Sequence, residues 1–166
     1  MAAAGVIDPA WLNDRSEYQQ NFVHGLRNGV GLHLQFELDG ERIVTEWTPA
    51  EEHAGFPGFV HGGLIAAVLD DTMGRFAALY RRFLVTARMD VRFREAAPLG
   101  VTLRVEGWCT RHQRRALHAE GRVLTPEGTV VAESTGVYLP LTPALEQRMV
   151  AAWPGFAEYL GDVTSG

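Results

Sequence analysis

The sequence contains no lysine, and all 15 of its basic residues are arginines. Schiff-base chemistry and Walker-type phosphate loops both require the lysine amine, so neither is expected here. A genome biased towards arginine codons would account for the missing lysines equally well. The single cysteine, Cys109, excludes an internal disulfide bond. No apolar run reaches about 18 residues, so no membrane-spanning helix is expected.

Two common kinds of catalytic centre also lack support in the sequence. Its three serines, Ser16, Ser134 and Ser165, lie outside any Gly-x-Ser-x-Gly sequence, which argues against a serine nucleophile elbow. The six histidines show no His-Glu-x-x-His or similar spacing, so no metal centre is expected. The net charge of −5 argues against nucleic-acid binding, which needs an excess of basic charge.

The composition is typical of a globular protein, with 46% hydrophobic and 21% charged residues. The 166 residues contain no repeat or linker, which predicts one domain over residues 1–166. The first residues lack the pattern of a signal peptide, so we expect a cytoplasmic protein. Asp8 and Pro9 resemble a helix start, which predicts a short helix over about residues 9–22. The tail is predicted to be helical over about residues 143–160.

Two patterns dominate the rest of the chain. Alternation of apolar and polar residues predicts six strands, at about residues 30–38, 42–47, 86–94, 101–109, 115–124 and 130–139. A glycine-rich loop at residues 55–63 separates the second strand from a long helix over residues 64–80. That helix is apolar almost all round, so it should be buried. One of its faces carries small residues and a single carboxylate, Asp70.

A helix that is hydrophobic on every side needs a cover, and a curved antiparallel sheet provides one. The order of two strands, one helix and four strands therefore predicts an α+β protein of the hotdog fold. In this arrangement an antiparallel sheet of about six strands wraps around one long buried helix.

The segment His61-Gly62-Gly63, followed by a helix with Asp70, resembles the phenylacetyl-CoA-type branch of the hotdog thioesterases. The similarity extends over roughly residues 31–139 and includes the approach 56–60 and the strand start 85–91. The three residues His61-Gly62-Gly63 alone are a weak signal. An aspartate nine positions after the histidine, within this order of strands and helix, makes the match more specific.

This resemblance implies hydrolysis of acyl-CoA, or of an acyl-carrier thioester, without a metal or bound cofactor. It also implies active sites shared between the two subunits of a homodimer, which could associate further into a homotetramer. By motif match it gives Gly63, Asp70 and Thr86 catalytic roles, and it assigns His61 a positioning role.

Physical chemistry agrees with the two central assignments. The N–H of Gly63 lies at a helix N-terminus, where unpaired donors and the positive dipole end can stabilise an oxyanion. Burial of Asp70 raises its pKa and makes it a better base near neutral pH. Two structural interpretations stay open: a simple loop-to-helix bend at Gly62-Gly63, and a buried aspartate bonded to backbone amides.

The neighbouring candidates have alternatives of their own. Asp71, about 100° further round the helix, is interpreted as structural or interfacial, with catalytic base as the alternative. The hydroxyl of Thr86 could hold the water or the carboxylate, although β propensity explains a threonine at a strand start nearly as well. His61 either bonds the substrate carbonyl or braces the loop.

A further group of residues is predicted to contact the substrate. The loop and helix residues in this group are Phe59, Val60, Gly62 and Asp71. The arginines Arg111, Arg114 and Arg115 could bind the phosphates of CoA, although solvated charge at a strand end is the commoner role for such residues.

Two rival functions remain from the sequence alone. A hotdog dehydratase or hydratase would act on a 3-hydroxyacyl thioester, using a different arrangement of histidine and acidic residues. A non-catalytic acyl-CoA-binding protein would bind the same substrate without turnover.

Overall fold

The computed structural model describes residues 9–13 and 18–164. Single helical turns of the 3₁₀ type lie at Pro9–Trp11 and Glu51–His53. The regular elements in chain order are β1 (Glu37–Asp39), β2 (Arg42–Trp47), β3 (Ala54–Phe56), β4 (Phe59–Val60), α1 (Gly62–Leu79), β5 (Leu84–Phe93), β6 (Leu103–Gln113), β7 (Ala116–Leu124), β8 (Val130–Pro140), α2 (Pro143–Ala152) and α3 (Phe156–Thr164).

Six of the strands form one antiparallel sheet in the order β1-β2-β6-β7-β8-β5. Helix α1 packs against β2, β5, β6, β7 and β8, so the sheet curves around it. The predicted fold class, an antiparallel sheet of about six strands around one long helix, is confirmed. No helix among the described residues is long and apolar enough to cross a membrane.

The core lies between α1 and the sheet. The helix buries Ile65, Leu69, Met73 and Phe76 at intervals of three or four residues, which defines one apolar face. Each such side chain contributes about 1.5–3 kcal/mol when fully buried. Close approach of helix and sheet depends on Gly121 of β7, because a Cβ there would lie 3.1 Å from Met73 and 3.0 Å from a backbone oxygen.

The first strand is much shorter than predicted. Only Glu37–Asp39 pairs as a strand, and Val30 is 79% exposed. Leu34 and Phe36 are nevertheless buried. Their backbone N–H groups bond Val23 O and Asn13 Oδ1 instead of a neighbouring strand. The alternation therefore marked burial correctly only at Leu34 and Phe36, where loop and side-chain acceptors replace the sheet partner.

The predicted N-terminal helix over about residues 9–22 is wrong within the described residues. A single 3₁₀ turn covers Pro9–Trp11, and residues 18–22 contain no helix, while Asp8 and residues 14–17 lie outside the described part. Asn21 explains the outcome locally, because its side-chain oxygen accepts the N–H groups of Val23 and His24 and forms a turn.

The C-terminal tail is helical over the predicted range, but it forms two helices. Helix α2 ends at Ala152, and α3 begins at Phe156. Pro154 separates them, since its ring is incompatible with a continuing helix.

The glycine-rich loop contains a small hairpin that the sequence did not indicate. Strands β3 and β4 pair with each other, and Gly58 turns the chain between them with a φ of 81°. The hairpin leads directly into the N-terminus of α1.

Candidate active site

A cavity of about 670 Å³ lies beside the middle of α1. It is bounded by α1, the start of β5, Tyr138 of β8, residues 18–24 and the two C-terminal helices. Asp70 lines it as a half-buried carboxylate. The carboxylate that the sequence predicts as the catalytic base is therefore accessible from a cavity that could hold a substrate.

Two hydroxyl groups hold the Asp70 carboxylate. Thr86 Oγ1 donates to Oδ1 at 2.9 Å and to Oδ2 at 3.1 Å. Tyr138 OH donates to Oδ1 at 3.1 Å and to the Asp70 backbone carbonyl at 3.1 Å. Of the two partners considered for the Thr86 hydroxyl, the water and the carboxylate, the hydroxyl contacts the carboxylate in this structure.

A β-bulge explains how Thr86 reaches Asp70. Thr86 pairs with Tyr138, Arg88 pairs with Val137, and the register shifts between Thr86 and Arg88. Simple alternation would place Thr86 on the face opposite Met89, which packs against the core. The extra residue, Ala87, brings Thr86 to the same face as Met89, and bulges often redirect a side chain in this way.

Tyr138 is a site residue that the sequence reasoning missed. It lies in an apolar stretch of β8 and is 2% exposed, so the sequence indicated only a core residue. The available signal was its hydroxyl, because a buried tyrosine O–H normally finds a hydrogen-bond partner. Gly136 makes room for the ring, since a Cβ there would lie 2.7 Å from it.

The environment of Asp70 makes its carboxylate a stronger base than the carboxylate of an ordinary aspartate. Burial raises the pKa of Asp70 above its usual 3.8, and the negative charge of Asp71 raises it further. The hydrogen bonds from Thr86 and Tyr138 lower this pKa without cancelling the effect of burial. Burial and the nearby Asp70 charge raise the pKa of Tyr138, so its hydroxyl stays protonated as a donor.

Asp71 belongs to a different, internally paired cluster. Its Oδ2 lies 2.8 Å from His24 Nδ1 and accepts a hydrogen bond from Arg75 at 3.1 Å, and Arg75 also contacts His24. Burial alone would raise the pKa of Asp71, but Arg75 and His24 together hold it below its usual value. Asp71 lines the cavity, but these contacts support the structural interpretation over the catalytic one.

Replacing Asp71 with Asn should destabilise the fold. The variant leaves the buried Arg75 charge without its carboxylate, which typically costs about 3–5 kcal/mol. We expect urea unfolding at pH 7 to show a loss of this size. The matched control is Asp90→Asn on the exposed edge strand, which should change the free energy of unfolding by less than about 0.5 kcal/mol.

The cost should also depend on pH with a definite sign. Because the folded-state pKa of Asp71 is depressed, its stabilisation is present above the ordinary aspartate pKa and disappears as the pH falls through the depressed value. The difference between wild type and Asp71→Asn should therefore shrink in acid. A difference below about 1 kcal/mol at pH 7 contradicts a stabilising role for Asp71.

The motif at the N-terminus of α1 has an internal arrangement of its own. His61 is the N-cap, and its Nδ1 accepts the N–H of Gly63 at 2.9 Å. A neutral histidine that accepts at Nδ1 carries its proton on Nε2, so His61 presents an N–H donor outward. Gly63 N–H is therefore satisfied by His61 in this structure, and both residues are exposed.

One chain does not bring Gly63 and Asp70 together. They lie seven residues apart in the same helix, which corresponds to about 10 Å along its axis. A reacting carbonyl and the attacking water need both groups within about 3 Å of neighbouring atoms. A single chain therefore does not place the Gly63 N–H and the Asp70 carboxylate within reach of one reacting carbonyl.

The predicted substrate contacts near the motif fall into a second, open cavity. Phe59, Val60 and Gly62 line it together with Phe56 and Phe93, and its volume is about 460 Å³. Val60 is 8% exposed and packs in the core, so little of its side chain is available to a ligand.

The three predicted phosphate-binding arginines cluster around the β6–β7 hairpin tip. Arg111, Arg114 and Arg115 are exposed, and none of these three described side chains lines the larger cavity. Arg82 connects the two regions, because it lines the cavity and donates to the carbonyls of Gln113 and Arg114, each at 2.6 Å.

Across residues 9–13 and 18–164, no group of His, Cys, Asp or Glu side chains could hold a metal ion.

Comparison with known proteins gives consistent similarities. Residues 57–132 match the family model described as the thioesterase superfamily. The chain is 28% identical over 127 residues to acyl-coenzyme A thioesterase THEM4 of Rattus norvegicus, which covers 75% of this chain and 55% of that protein. It is 29% identical over 123 residues to acyl-coenzyme A thioesterase THEM5 of Mus musculus, and the match covers 65% of this chain and 48% of that protein. The chain thus spans about half the length of these curated relatives.

Solved structures show the same fold. A crystal structure of a thioesterase superfamily protein matches with a TM-score of 0.68 at 25% identity, covering 73% of this chain and 60% of that one. A second match is the smu.793 protein from Streptococcus mutans, whose structure was solved bound to acetyl-CoA. It has a TM-score of 0.62 at 20% identity, and the match covers 72% of this chain and 95% of that chain. With its six-stranded sheet around one helix and its matching family model, the chain is similar to the proteins of the thioesterase superfamily and shares their fold.

Proposed function

We propose that the protein is a thioesterase that hydrolyses acyl-CoA to the free acid and the CoA thiol. The observation that carries the proposal is the Asp70 carboxylate, which lines a large cavity, is held by two hydroxyl donors and has a raised pKa. The curated relatives, which are called acyl-coenzyme A thioesterases, support the same substrate class.

In the proposed reaction, Asp70 removes a proton from water as the water oxygen attacks the thioester carbonyl carbon. The carbonyl oxygen becomes an oxyanion, the C–S bond then breaks, and the proton held by Asp70 passes to the leaving thiolate. Both hydroxyls bond Oδ1, and Thr86 alone contacts Oδ2, so Oδ2 is the less occupied oxygen and the one that we assign to the water. Direct attack of the carboxylate on the carbonyl is the alternative route.

The donors for the oxyanion lie at the N-terminus of α1. His61 offers its Nε2–H to the carbonyl oxygen, and Gly63 offers its backbone N–H once the His61 ring turns away. One oxyanion donor typically contributes about 10²–10³-fold to the rate. Because the carboxylate and these donors supply the required chemistry, the proposal needs no metal or other cofactor.

A homodimer completes the site in this proposal. The N-terminus of one α1 would lie beside Asp70 of the partner, which removes the 10 Å separation within one helix. Two features support a second copy of the chain near this end. Phe56, Phe59 and Phe93 are 77%, 43% and 55% exposed around the helix N-terminus, and β5 is an edge strand of the sheet. Further association of two such dimers into a tetramer is the alternative assembly in this proposal.

The phosphates of CoA are assigned to the exposed arginines of the β6–β7 hairpin, Arg111, Arg114 and Arg115. Their guanidinium groups suit phosphate oxygens, and Arg82 holds the hairpin tip next to the cavity. A carrier-protein thioester would present the same thioester through a phosphopantetheine arm.

The experiment that tests the proposed function is thiol release from a panel of acyl-CoAs, with the acid product identified by mass spectrometry. Steady thiol release with one acid formed per thiol supports the thioesterase. Binding of the same compounds without turnover contradicts it and favours an acyl-CoA-binding protein. Formation of enoyl-CoA from 3-hydroxyacyl-CoA without thiol release also contradicts it and favours a dehydratase.

The pH dependence of this activity should respond to Tyr138. Wild-type kcat should fall as the pH drops through the Asp70 pKa, which lies above the usual aspartate value. Tyr138→Phe removes one of the donors that lower this pKa, so the acid limb of the kcat profile should move to higher pH. The measurement is kcat against pH for both proteins.

The control for this experiment is Tyr80→Phe, which removes the hydroxyl of a half-buried tyrosine at the C-cap of α1. Tyr80 stacks on His112 and contacts Cys109 rather than Asp70, so the acid limb should stay at the wild-type position. An unchanged acid limb in Tyr138→Phe, with the protein folded, contradicts the positioning of Asp70 by Tyr138.

A further inference from the structure

The lining of the active-site cavity contains two chemically different groups of side chains. Asp70, Thr86 and Tyr138 form the polar group. The other group consists of aromatic rings contributed by three separate parts of the chain. These rings, defined here as the aromatic wall, belong to Tyr18, Phe83, Trp153, Phe156 and Tyr159.

The aromatic wall is a packed cluster. Trp153 lies at its centre, with ring centroids 5.4 Å from Tyr18, 5.9 Å from Phe156 and 5.7 Å from Tyr159. Phe83 packs edge-on against Phe156 at 5.1 Å. Phe156 is 3% exposed and anchors the cluster from behind. Such edge and tilted contacts add about 0.5–1.5 kcal/mol per pair, so the wall is preformed.

Helix α2 presents apolar atoms to the same space. Met149 and Ala152 line the cavity next to Trp153, while no described side chain of α2 is buried. Helix α2 therefore packs little of its surface into the protein core. A methionine at this position can adapt to apolar ligands of different shape.

The cations in the cavity lining are already engaged. Arg75 pairs with Asp71, and Arg82 donates to the carbonyls of Gln113 and Arg114. The wall therefore offers apolar rings rather than charge, which suits an acyl group better than the pyrophosphate of CoA. A volume of about 670 Å³ is far more than a two-carbon acyl group needs, and it lies within the usual range for ligand pockets.

We infer that the aromatic wall is the acyl subsite, and that the C-terminal helices select thioesters with large apolar acyl groups over short ones. This inference rests on the proposed function, because it places the thioester carbonyl at Asp70 and directs the acyl group towards Trp153. Residues of one chain supply this subsite, even though the catalytic groups would come from two. Trp153 is thereby a specificity-determining residue.

The test compares kcat/KM across a homologous series from acetyl-CoA to octanoyl-CoA, together with phenylacetyl-CoA. In wild type, each added methylene that reaches the wall should raise kcat/KM about three- to fourfold, which corresponds to about 0.8 kcal/mol per buried methylene. Trp153→Ala should keep the acetyl-CoA rate within about twofold and lose about tenfold on the longest chains.

Two further variants separate the subsite from general damage to the fold. Ala152→Phe adds bulk to the cavity and should shift the optimum to shorter chains, an outcome that misfolding does not produce. Trp108→Ala removes a tryptophan that packs under Arg42 and Arg122 on β6, outside the cavity lining, and should leave the chain-length profile unchanged.

Binding measurements distinguish failure of the inference from failure of the proposed function. Alkyl-CoA thioethers cannot be hydrolysed, so calorimetric Kd values for a chain-length series are independent of turnover. A chain-length dependence that Trp153→Ala flattens supports the subsite even without hydrolysis of any thioester. If Trp153→Ala weakens binding equally at all chain lengths, the wall contacts the CoA portion instead of the acyl group. If the Kd values do not change at any length, the wall contacts neither the acyl group nor the CoA portion. Each of these results overturns the inference.

Discussion

Asp70→Asn should lower kcat for thioester hydrolysis by at least about 10²-fold while the protein stays folded. The amide is nearly isosteric and can still accept a hydrogen bond from Thr86, so the local geometry should survive. It cannot remove a proton from water or attack the carbonyl, so both chemical routes fail. The measurement is kcat for the best acyl-CoA of the panel, with circular dichroism and urea unfolding on the same preparations.

The stability of this variant provides a second, independent readout. Burial raises the folded-state pKa of Asp70, so its ionised form destabilises the folded state at pH values above the ordinary aspartate pKa. Removing the charge should therefore leave stability at pH 7 unchanged or slightly increased. A change that lowers activity strongly without lowering stability is typical of a functional group rather than a structural one.

Asp90→Asn is the matched control for Asp70→Asn. Asp90 lies exposed on β5, the strand that also carries Thr86, and its replacement should leave kcat within about twofold of wild type. If Asp70→Asn is folded and keeps most of its activity, Asp70 is not the catalytic group. The paired Asp71 then becomes the remaining carboxylate of the cavity to test.

The sequence predicted those parts of the fold whose own pattern is strong. Helix α1 is apolar on most sides, and β2, β7 and β8 alternate clearly, so their predicted bounds lie within three residues of the observed ones. The predictions failed where a contact from elsewhere decides the local structure. Residues 31–36 alternate like a strand, but Asn13 and Val23 take their backbone hydrogen bonds.

The same distinction applies to the candidate site. Asp70 and the motif at residues 61–63 could be proposed as site residues because the family resemblance that points to them lies in a local stretch of sequence. Tyr138 could not, because its role depends on the pairing of β8 with β5 and on a bulge at Ala87 that alternation does not reveal. The pairing of Asp71 with His24 joins residues 47 positions apart, which a helix pattern cannot indicate.

The geometry of α1 leads to the second large prediction, subunit complementation. Within one helix, Gly63 and Asp70 are separated by about 10 Å, so each proposed site combines Gly63 of one chain with Asp70 of the other. One variant is Asp70→Asn, and the other is Gly63→Val. A Cβ at position 63 would lie 3.0 Å from the His61 ring, so the bulky side chain displaces the cap and blocks the carbonyl.

Each variant alone should have nearly inactive sites, because every site in its homodimer lacks one of the two groups. Mixing and subunit exchange should produce heterodimers in which one site has both damaged groups and the other has neither. With random exchange, half of the dimers are heterodimers with one intact site of two, so activity should recover to about a quarter of wild type. The heterodimer fraction is measured by native mass spectrometry.

The recovery should rise in proportion to the heterodimer fraction, and this proportionality distinguishes true complementation from residual activity of either parent. The control is a mixture of wild type with the double variant Gly63→Val/Asp70→Asn. In each of its heterodimers, one site contains the damaged position 63 and the other site contains the damaged position 70. That mixture should lose activity as heterodimers form, whereas the complementing mixture gains it. If the complementing mixture stays inactive with its heterodimer confirmed, Gly63 of one chain and Asp70 of the other do not form a shared site, and the oxyanion donor must be a group nearer to Asp70 than Gly63 is.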